Sequence, residues 1–293
     1  MAYLGVFSLG AILGYFFFWL RMKFKEFLAL NYRKIKSTKH FKEIQIKSEE
    51  KDKPLTSLSH FHFRPNTHDE RIFDCVNKHN EYRLPNEFEQ TDVVIDIGAH
   101  IGSFSYACLS RGAGKVYAYE AFSDNYKLAA KNLRRFNKRL SINQFAVWRS
   151  DKRGEVLHFA QSTDTENTGG GNVWASSKGV EVQTISLDEI LSTTKGSVTL
   201  LKLDCEGSEF PILFTSKLLG KVNAICGEYH EMGGEYDKNE IPKQTRVDGY
   251  DKFTADELTK FLDKQGFDVT CTRSLNADGT MSSLGLFFAE RRL

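Results

Sequence analysis

Two short stretches concentrate groups that can move a proton. "LLKLDCEGSEF" carries Asp204, Glu206 and Glu209, and "AICGEYHE" carries Glu228 and His230. Both follow apolar runs of strand character, and alternation along a strand puts Asp204 and Glu206 on one face, and Glu228 and His230 likewise on one face. Open α/β sheets bind ligands beyond the carboxyl ends of their strands. Acid/base groups from two neighbouring strand ends are therefore expected to converge. Such a set suits removal of a proton from a nucleophile: His230 or Asp204 takes the proton, while Glu206, Glu209 and Glu228 shape or charge the pocket. Carboxylates at this spacing are weak evidence for a divalent ion, and no metal is expected.

A second stretch, "VVIDIGAHIGSFSYA", reads as a buried strand, a glycine loop and a helix. This unit holds nucleotide-like cofactors in α/β sheets. The spacing is Asp-x-Gly-x-x-x-Gly, from Asp96 through Gly98 to Gly102, and not Gly-x-Gly-x-x-Gly. No Gly-Lys-Ser/Thr follows, which excludes a phosphate-cradling P-loop. The carboxylate of Asp96 at the strand end would repel a pyrophosphate but tolerate an amino group. The next strand ends in Glu120, placed to accept hydrogen bonds from both hydroxyls of an adenosine ribose. Dinucleotide sites share that last feature. The loop and Glu120 together favour S-adenosylmethionine.

The elements that must position these groups follow from the pattern. From Asp92 onward strands and helices alternate: Val93–Ile97, Lys115–Ala121, Ile142–Trp148, Val198–Gly207 and Val222–Glu231 read as strands. Helices are expected from about Ser103, from a Ser123 or Asp124 cap, from near Ser208, and from a Thr254 cap to a stop at Gly266. A further helix opens at Thr67 or Asp69. "EVLHFA" and "VEVQTISL" interrupt the alternation around a polar, glycine-rich loop, Gln161 to Gly179, read as a lid on the substrate side. Trp174 within it is placed to stack on a flat face or to anchor the loop. "FDVTCTRS" and "SLGLFFAERR" close the chain as an antiparallel pair. The expectation is an α/β, doubly wound, mostly parallel sheet of seven strands.

The chain has 293 residues and a formal net charge of +2. Between Arg21 and Lys53 eleven Lys/Arg stand against five Asp/Glu, so this stretch carries about +6 and the remainder about −4. A basic collar on a mildly acidic body is unlike a nucleic-acid binder, which carries its basic patch on the folded domain. Five cysteines without Cys-x-x-Cys spacing fit a reducing compartment better than an oxidising one.

Tyr3 to Leu20 contains no charge and is followed at once by "RMKFK". Its 18 residues span about 27 Å as a helix, close to the hydrocarbon thickness of a bilayer. A cleaved signal peptide would place its charges before the apolar run and small residues after it. Residues 1–20 therefore read as a single-pass membrane anchor, 21–56 as a basic tether and 57–293 as the catalytic domain. Arg21, Lys23, Lys25, Arg33, Lys34 and Lys36 orient that domain to the cytosol.

"VVIDIGAHIGSFS", "VYAYEAFSDNYKLAAKNL" and above all "LLKLDCEGSEFPIL" resemble the FkbM family of S-adenosylmethionine-dependent methyltransferases. The family wording Lys-x-Asp-x-Glu-Gly-x-Glu is met by Lys202, Asp204, Glu206, Gly207 and Glu209. "FRPNTHDE" and "SLDEIL" also look like family features, so the resemblance runs from about Phe61 to Glu231. One departure is Gly227, where the family usually has an aliphatic residue. The resemblance implies a Rossmann-like methyltransferase fold with S-adenosyl-L-methionine as cofactor. It further implies that Asp96, Gly98, Ala99, His100 and Gly102 line the methionyl end and that Glu120 holds the ribose. Ala121 and Phe122 would then lie beside the adenine, with Ala146 and Val147 supplying backbone contacts. Arg64 and Asp69 are placed either as a lid over the cofactor or as a plain entry to the first helix.

The resemblance implies O-methylation of a sugar or small metabolite, the anchor makes a glycolipid attractive as acceptor, and the charge distribution argues against nucleic acid. Two rivals remain: a nicotinamide-dependent oxidoreductase, and a membrane-tethered scaffold that keeps the fold without the activity. The loop spacing speaks against the first, and the intact Asp96, Glu120, Asp204, Glu206 and His230 against the second.

Overall fold

Val93–Ile97 forms strand β1, and its alternation is that of a strand buried on both faces: Val94 packs into one apolar layer, Ile95 and Ile97 into the other. The computed structural model describes residues 61–152, 154–172 and 179–292, which fall in one compact unit, Ser59–Leu293. The expected anchor at 1–20, the tether at 21–56 and Trp174 lie outside the described residues. Among the described residues no helix is long and apolar enough to cross a membrane.

Around β1 run β2 (Lys115–Tyr119), β3 (Leu140–Asn143), β7 (Val198–Leu203), β8 (Val222–His230), β9 (Phe267–Leu275) and β10 (Met281–Arg291). The order is β3-β2-β1-β7-β8-β10-β9, and only the β8–β10 and β10–β9 pairings are antiparallel. The expected seven-stranded, mostly parallel α/β sheet is therefore present, with its chain reversal between β1 and β7. One apolar layer gathers residues from α1 (Asp69–Asn77), α2 (Ser103–Ser110) and α3 (Ser123–Leu133). The other gathers α4 (Leu187–Thr193), α5 (Glu209–Thr215) and α6 (Ala255–Lys264). Helices on both faces make the winding double.

The expected third strand, Ile142–Trp148, divides. After β3 the chain leaves the sheet, and β4 (Ala146–Trp148) pairs with β6 (Val180–Ser186), which also pairs with β5 (Val156–Phe159). The two extended pieces that interrupt the alternation thus build a separate three-stranded sheet. Its small core holds Trp148, Leu157, Phe159 and Val182. Capping also departs from expectation at α1 and α3, whose entry residues are His68 and Phe122 without a side-chain cap bond. In α1 the Asp69 carboxylate is taken by Arg64 instead. The Thr254 cap of α6 is present, accepting from the Glu257 N–H.

Gly227 has a local cause. A Cβ there would stand 2.0 Å from the Leu203 carbonyl oxygen and 2.6 Å from the Phe287 ring, so β8 carries no side chain at that point.

Candidate functional site

The turn after β1 takes left-handed conformations at Gly98 (φ 75°), His100 (φ 51°) and Gly102 (φ 93°). A Cβ at Gly98 would lie 1.9 Å from the Asp204 carbonyl oxygen, so the glycine loop presses directly on the end of β7. Beneath it Asp96 is wholly buried, accepts from Ser105 Oγ at 2.7 Å and lies 3.3 Å from Lys202 Nζ. The same ammonium donates to the Gly98 carbonyl at 2.7 Å. Burial opposes its charge, but Asp96 and Asp204 outweigh that and hold Lys202 protonated above its ordinary range. Asp96 and Lys202 thus form the buried support under Gly98 and Ala99.

Glu120, one residue past β2, is buried and ties the loop down: Oε2 accepts the His100 N–H at 2.8 Å and Oε1 the Phe122 N–H at 2.9 Å. Burial pushes its carboxyl up to about 7, partly offset by those two bonds. Ala121 and Phe122 pack on the small core, where Phe122 stacks on Phe159 with centroids 5.2 Å apart. Ala146 and Val147 are buried in β4. Ala146 belongs to the small core and Val147 to the large one, so this strand packs on both.

The acid/base groups do converge: Glu228 and His230 alternate along β8 as expected, whereas Asp204 and Glu206 lie beyond the end of β7. β7 ends at Leu203, and Asp204 to Ser208 form a turn in which Glu206 is left-handed at φ 55°. Glu209 opens α5 fully buried and fastens that turn, accepting the Cys205 N–H at 2.7 Å and the Gly207 N–H at 3.0 Å. His230 ends β8 between two carboxylates, with Nε2 3.3 Å from Glu206 and Nδ1 3.3 Å from Glu209. Burial alone would lower its pKa, but Glu209 and Glu206 override this and hold His230 protonated well above the usual histidine range. Glu228 is pushed up to about 8, first by burial and then by Asp204. Glu206 is also raised by burial. Asp204, Glu228 and His230 offer ligand atoms within 4.8 Å of one another. Both imidazole nitrogens also face carboxylates.

Several contributors carry no sequence signal. Tyr82 donates its hydroxyl to Asp204 Oδ2 at 2.8 Å across 122 residues of chain. Asn125 accepts from Arg64 Nη1 and donates to the Thr168 carbonyl. Only contact could reveal these, because neither residue stands in a spacing that chemistry dictates. Arg64 and Asp69 form a forked ion pair, Nε to Oδ2 and Nη2 to Oδ1, both at 2.9 Å. The polar loop reaches the same place through Thr168. Both segments suspected as lids therefore end at His100, whose Nε2 lies 3.1 Å from Arg64 Nη2 and 2.9 Å from Thr168 Oγ1.

Residues 96–269 match the family model described as the methyltransferase FkbM domain. No curated protein matches. Among solved structures, the chain is similar to SMU.1697c of Streptococcus mutans, a putative methyltransferase in complex with SAH, at 15% identity, covering 79% of this chain and 99% of that one, TM-score 0.41. It is also similar to a precorrin-6y C5,15-methyltransferase of Geobacter metallireducens GS-15, at 12% identity, covering 78% and 93%, TM-score 0.39. A third, M. capricolum TrmK with S-adenosyl-homocysteine, shows 9% identity over 73% and 68%, TM-score 0.42. The chain belongs to the FkbM methyltransferase family, and S-adenosylmethionine is its cofactor.

The residues present fit that group. Gly98 has no room for a side chain, which lets the loop seat directly on the Asp204 backbone at the end of β7. The Glu120 oxygens accept the His100 and Phe122 N–H groups and a side-chain bond from Asn125, which leaves lone-pair capacity for a ribose hydroxyl. The carboxyl that burial leaves poorly stabilised gains the donors it lacks.

Proposed function

We propose that this chain methylates a hydroxyl group of an uncharged acceptor: a sugar, a glycolipid or a small metabolite. One observation carries the reading. Asp204 presses its backbone on Gly98 of the cofactor loop, and its side chain joins Glu228 and His230 in one cluster. A group able to take a proton therefore stands directly beside the methyl donor's site.

S-adenosylmethionine, when bound, supplies an electrophilic methyl carbon. The chain's own residues do the rest. The acceptor oxygen must lose its proton as it attacks, and Asp204 Oδ takes it. Of the two bases open from the sequence, His230 is the weaker choice because Glu206 and Glu209 keep it protonated. Its imidazolium, with both nitrogens turned to Glu206 and Glu209, instead serves as a counter-charge beside the acceptor. Tyr82 orients Asp204 through the 2.8 Å hydrogen bond. Glu228, held up at about 8, is mainly a neutral carboxyl at pH 7 and can donate to a second acceptor oxygen. Because the reaction is a displacement between two held partners, most of the acceleration comes from positioning.

The carboxylates at this end favour an uncharged acceptor over a polyanion, since phosphates would face Asp204 and Glu206. The apolar run Tyr3–Leu20 and the basic residues after it support a single-pass, membrane-anchored enzyme whose domain faces the cytosol. The test is transfer of labelled methyl from S-adenosylmethionine to a panel of neutral glycosides, glycolipids and small alcohols. Asp204→Asn is expected to lower kcat by about 10²-fold or more while leaving cofactor affinity unchanged. Acceptance of nucleic acid alone would overturn the reading.

A further inference from the structure

Between β5 and β6 the chain runs as "QSTDTENTGGG", Gln161 to Gly171, without one apolar side chain. Burial of hydrophobic surface cannot hold such a segment, so hydrogen bonds must. Its root is the Ala160–Asn172 bridge. Its far end is tied by four bonds to parts of the chain remote in sequence. The His68 N–H donates to the Glu166 carbonyl at 2.8 Å, and Asn125 Nδ2 donates to the Thr168 carbonyl at 3.1 Å. Thr168 Oγ1 donates to Asp69 Oδ1 at 2.7 Å and lies 2.9 Å from His100 Nε2. Asp69 has no exposure and is held ionised: burial opposes this, and the Arg64 bonds prevail.

The clasp therefore closes on the one residue of the glycine loop whose backbone N–H holds Glu120. His100 itself is driven down to about 4, chiefly by burial, so it is neutral and meets Thr168 through a hydrogen bond rather than a charge. The segment encloses a cleft of about 210 Å³ against Phe159, lined by its own polar residues, so it is held at its clasp and root and not by a packed interior.

We propose that Gln161–Gly171 is a strap over the cofactor site, that Thr168 and Asp69 form its clasp, and that cofactor exchange requires the clasp to open. Thr168 and Asp69 are positioning residues: they act on the cofactor through His100. The proposal rests on the cofactor-binding reading and adds the element that governs residence of the bound cofactor.

The test measures release of S-adenosylhomocysteine from the full-length chain. Thr168→Val keeps the side-chain shape and removes the hydroxyl, and Thr168→Ser keeps the hydroxyl. The expected result is at least tenfold faster release in Thr168→Val, near wild-type release in Thr168→Ser, and an unchanged KM for the acceptor. Limited proteolysis supplies a second readout. S-adenosylhomocysteine should protect the strap from cleavage in wild type and not in Thr168→Val. Equal release rates in wild type and Thr168→Val, or strap cleavage indifferent to ligand, would overturn the clasp. Failure of wild type to bind S-adenosylhomocysteine would instead strike the cofactor reading on which it rests.

Discussion

The backbone N–H of His100 donates to Glu120 Oε2 at 2.8 Å, joining the glycine loop after β1 to the carboxylate after β2. This bond fixes the separation between the loop proposed to face the methionyl end and the carboxylate proposed to hold the ribose. It also leaves Glu120 poised near neutrality, with its carboxyl raised by burial to about 7. Three consequences at this end and one at the acceptor end can be measured.

Ribose hydroxyls stabilise the ionised form of Glu120, so binding should strengthen as pH rises through about 7 and should release a proton below it. Titration of S-adenosylhomocysteine in buffers of different ionisation enthalpy would detect that proton. The same shift has a stability consequence of defined sign. A carboxyl raised from 4.5 to about 7 on folding binds protons more readily in the native state, so its contribution to stability declines between those pH values. Affinity flat from pH 6 to 8 would remove Glu120 from the ribose.

Lys202→Met should be severe. It leaves Asp96 wholly buried beside Ser105 without its cation. Breaking a buried pair from one side costs about 3–5 kcal/mol. In a domain of this size that corresponds to a fall in Tm on the order of 10 °C. Pairing the change with Asp96→Asn should recover part of the loss in thermal unfolding, because no unpaired charge then remains.

Gly98→Ala forces a side chain into a left-handed turn and against the Asp204 carbonyl oxygen at 1.9 Å. Loop and strand end must separate, and a loss of about 2 kcal/mol or more is expected. Cofactor affinity and kcat should fall together, since the same contact sets the distance between the two halves of the reaction. Unchanged kinetics would show that the contact does not position the site.

His230 carries its proton because Glu209 and Glu206 outweigh its burial. A histidine whose folded pKa is raised contributes stability fully below its unfolded value near 6.5, and that contribution is lost as pH rises through the folded value. Wild-type Tm should therefore drop on the alkaline side. His230→Gln should flatten that drop, lower kcat and leave S-adenosylhomocysteine affinity intact. Full turnover in His230→Gln would remove it from the acceptor site.

Much of this was legible in the sequence, for physical reasons that differ by element. β1, β2, β7 and β8 are apolar runs bounded by polar turns, and burial on both faces gives them a strong signal. The convergence of Asp204, Glu206, Glu228 and His230 follows from strand ends meeting at one edge of a parallel sheet. Its local cause did not show: Glu206 arrives through a left-handed turn that Glu209 fastens, not through alternation. The break at Phe145 between β3 and β4 was also hidden, because "INQFAVW" carries one continuous strand-like pattern while its second half pairs with another sheet. Tyr82, Asn125 and Thr168 are tied to the site by hydrogen bonds that reach across 122, 61 and 99 residues of chain. No periodicity or spacing encodes such contacts.

The most direct test of the account is calorimetric titration of the full-length chain with S-adenosylhomocysteine, beside Glu120→Ala. Micromolar binding by wild type, weakened at least tenfold in Glu120→Ala while the fold is retained, is the predicted result. Equal binding by the two proteins would contradict the placement of the cofactor between the glycine loop and the end of β2, and with it the position assigned to Asp204 as base.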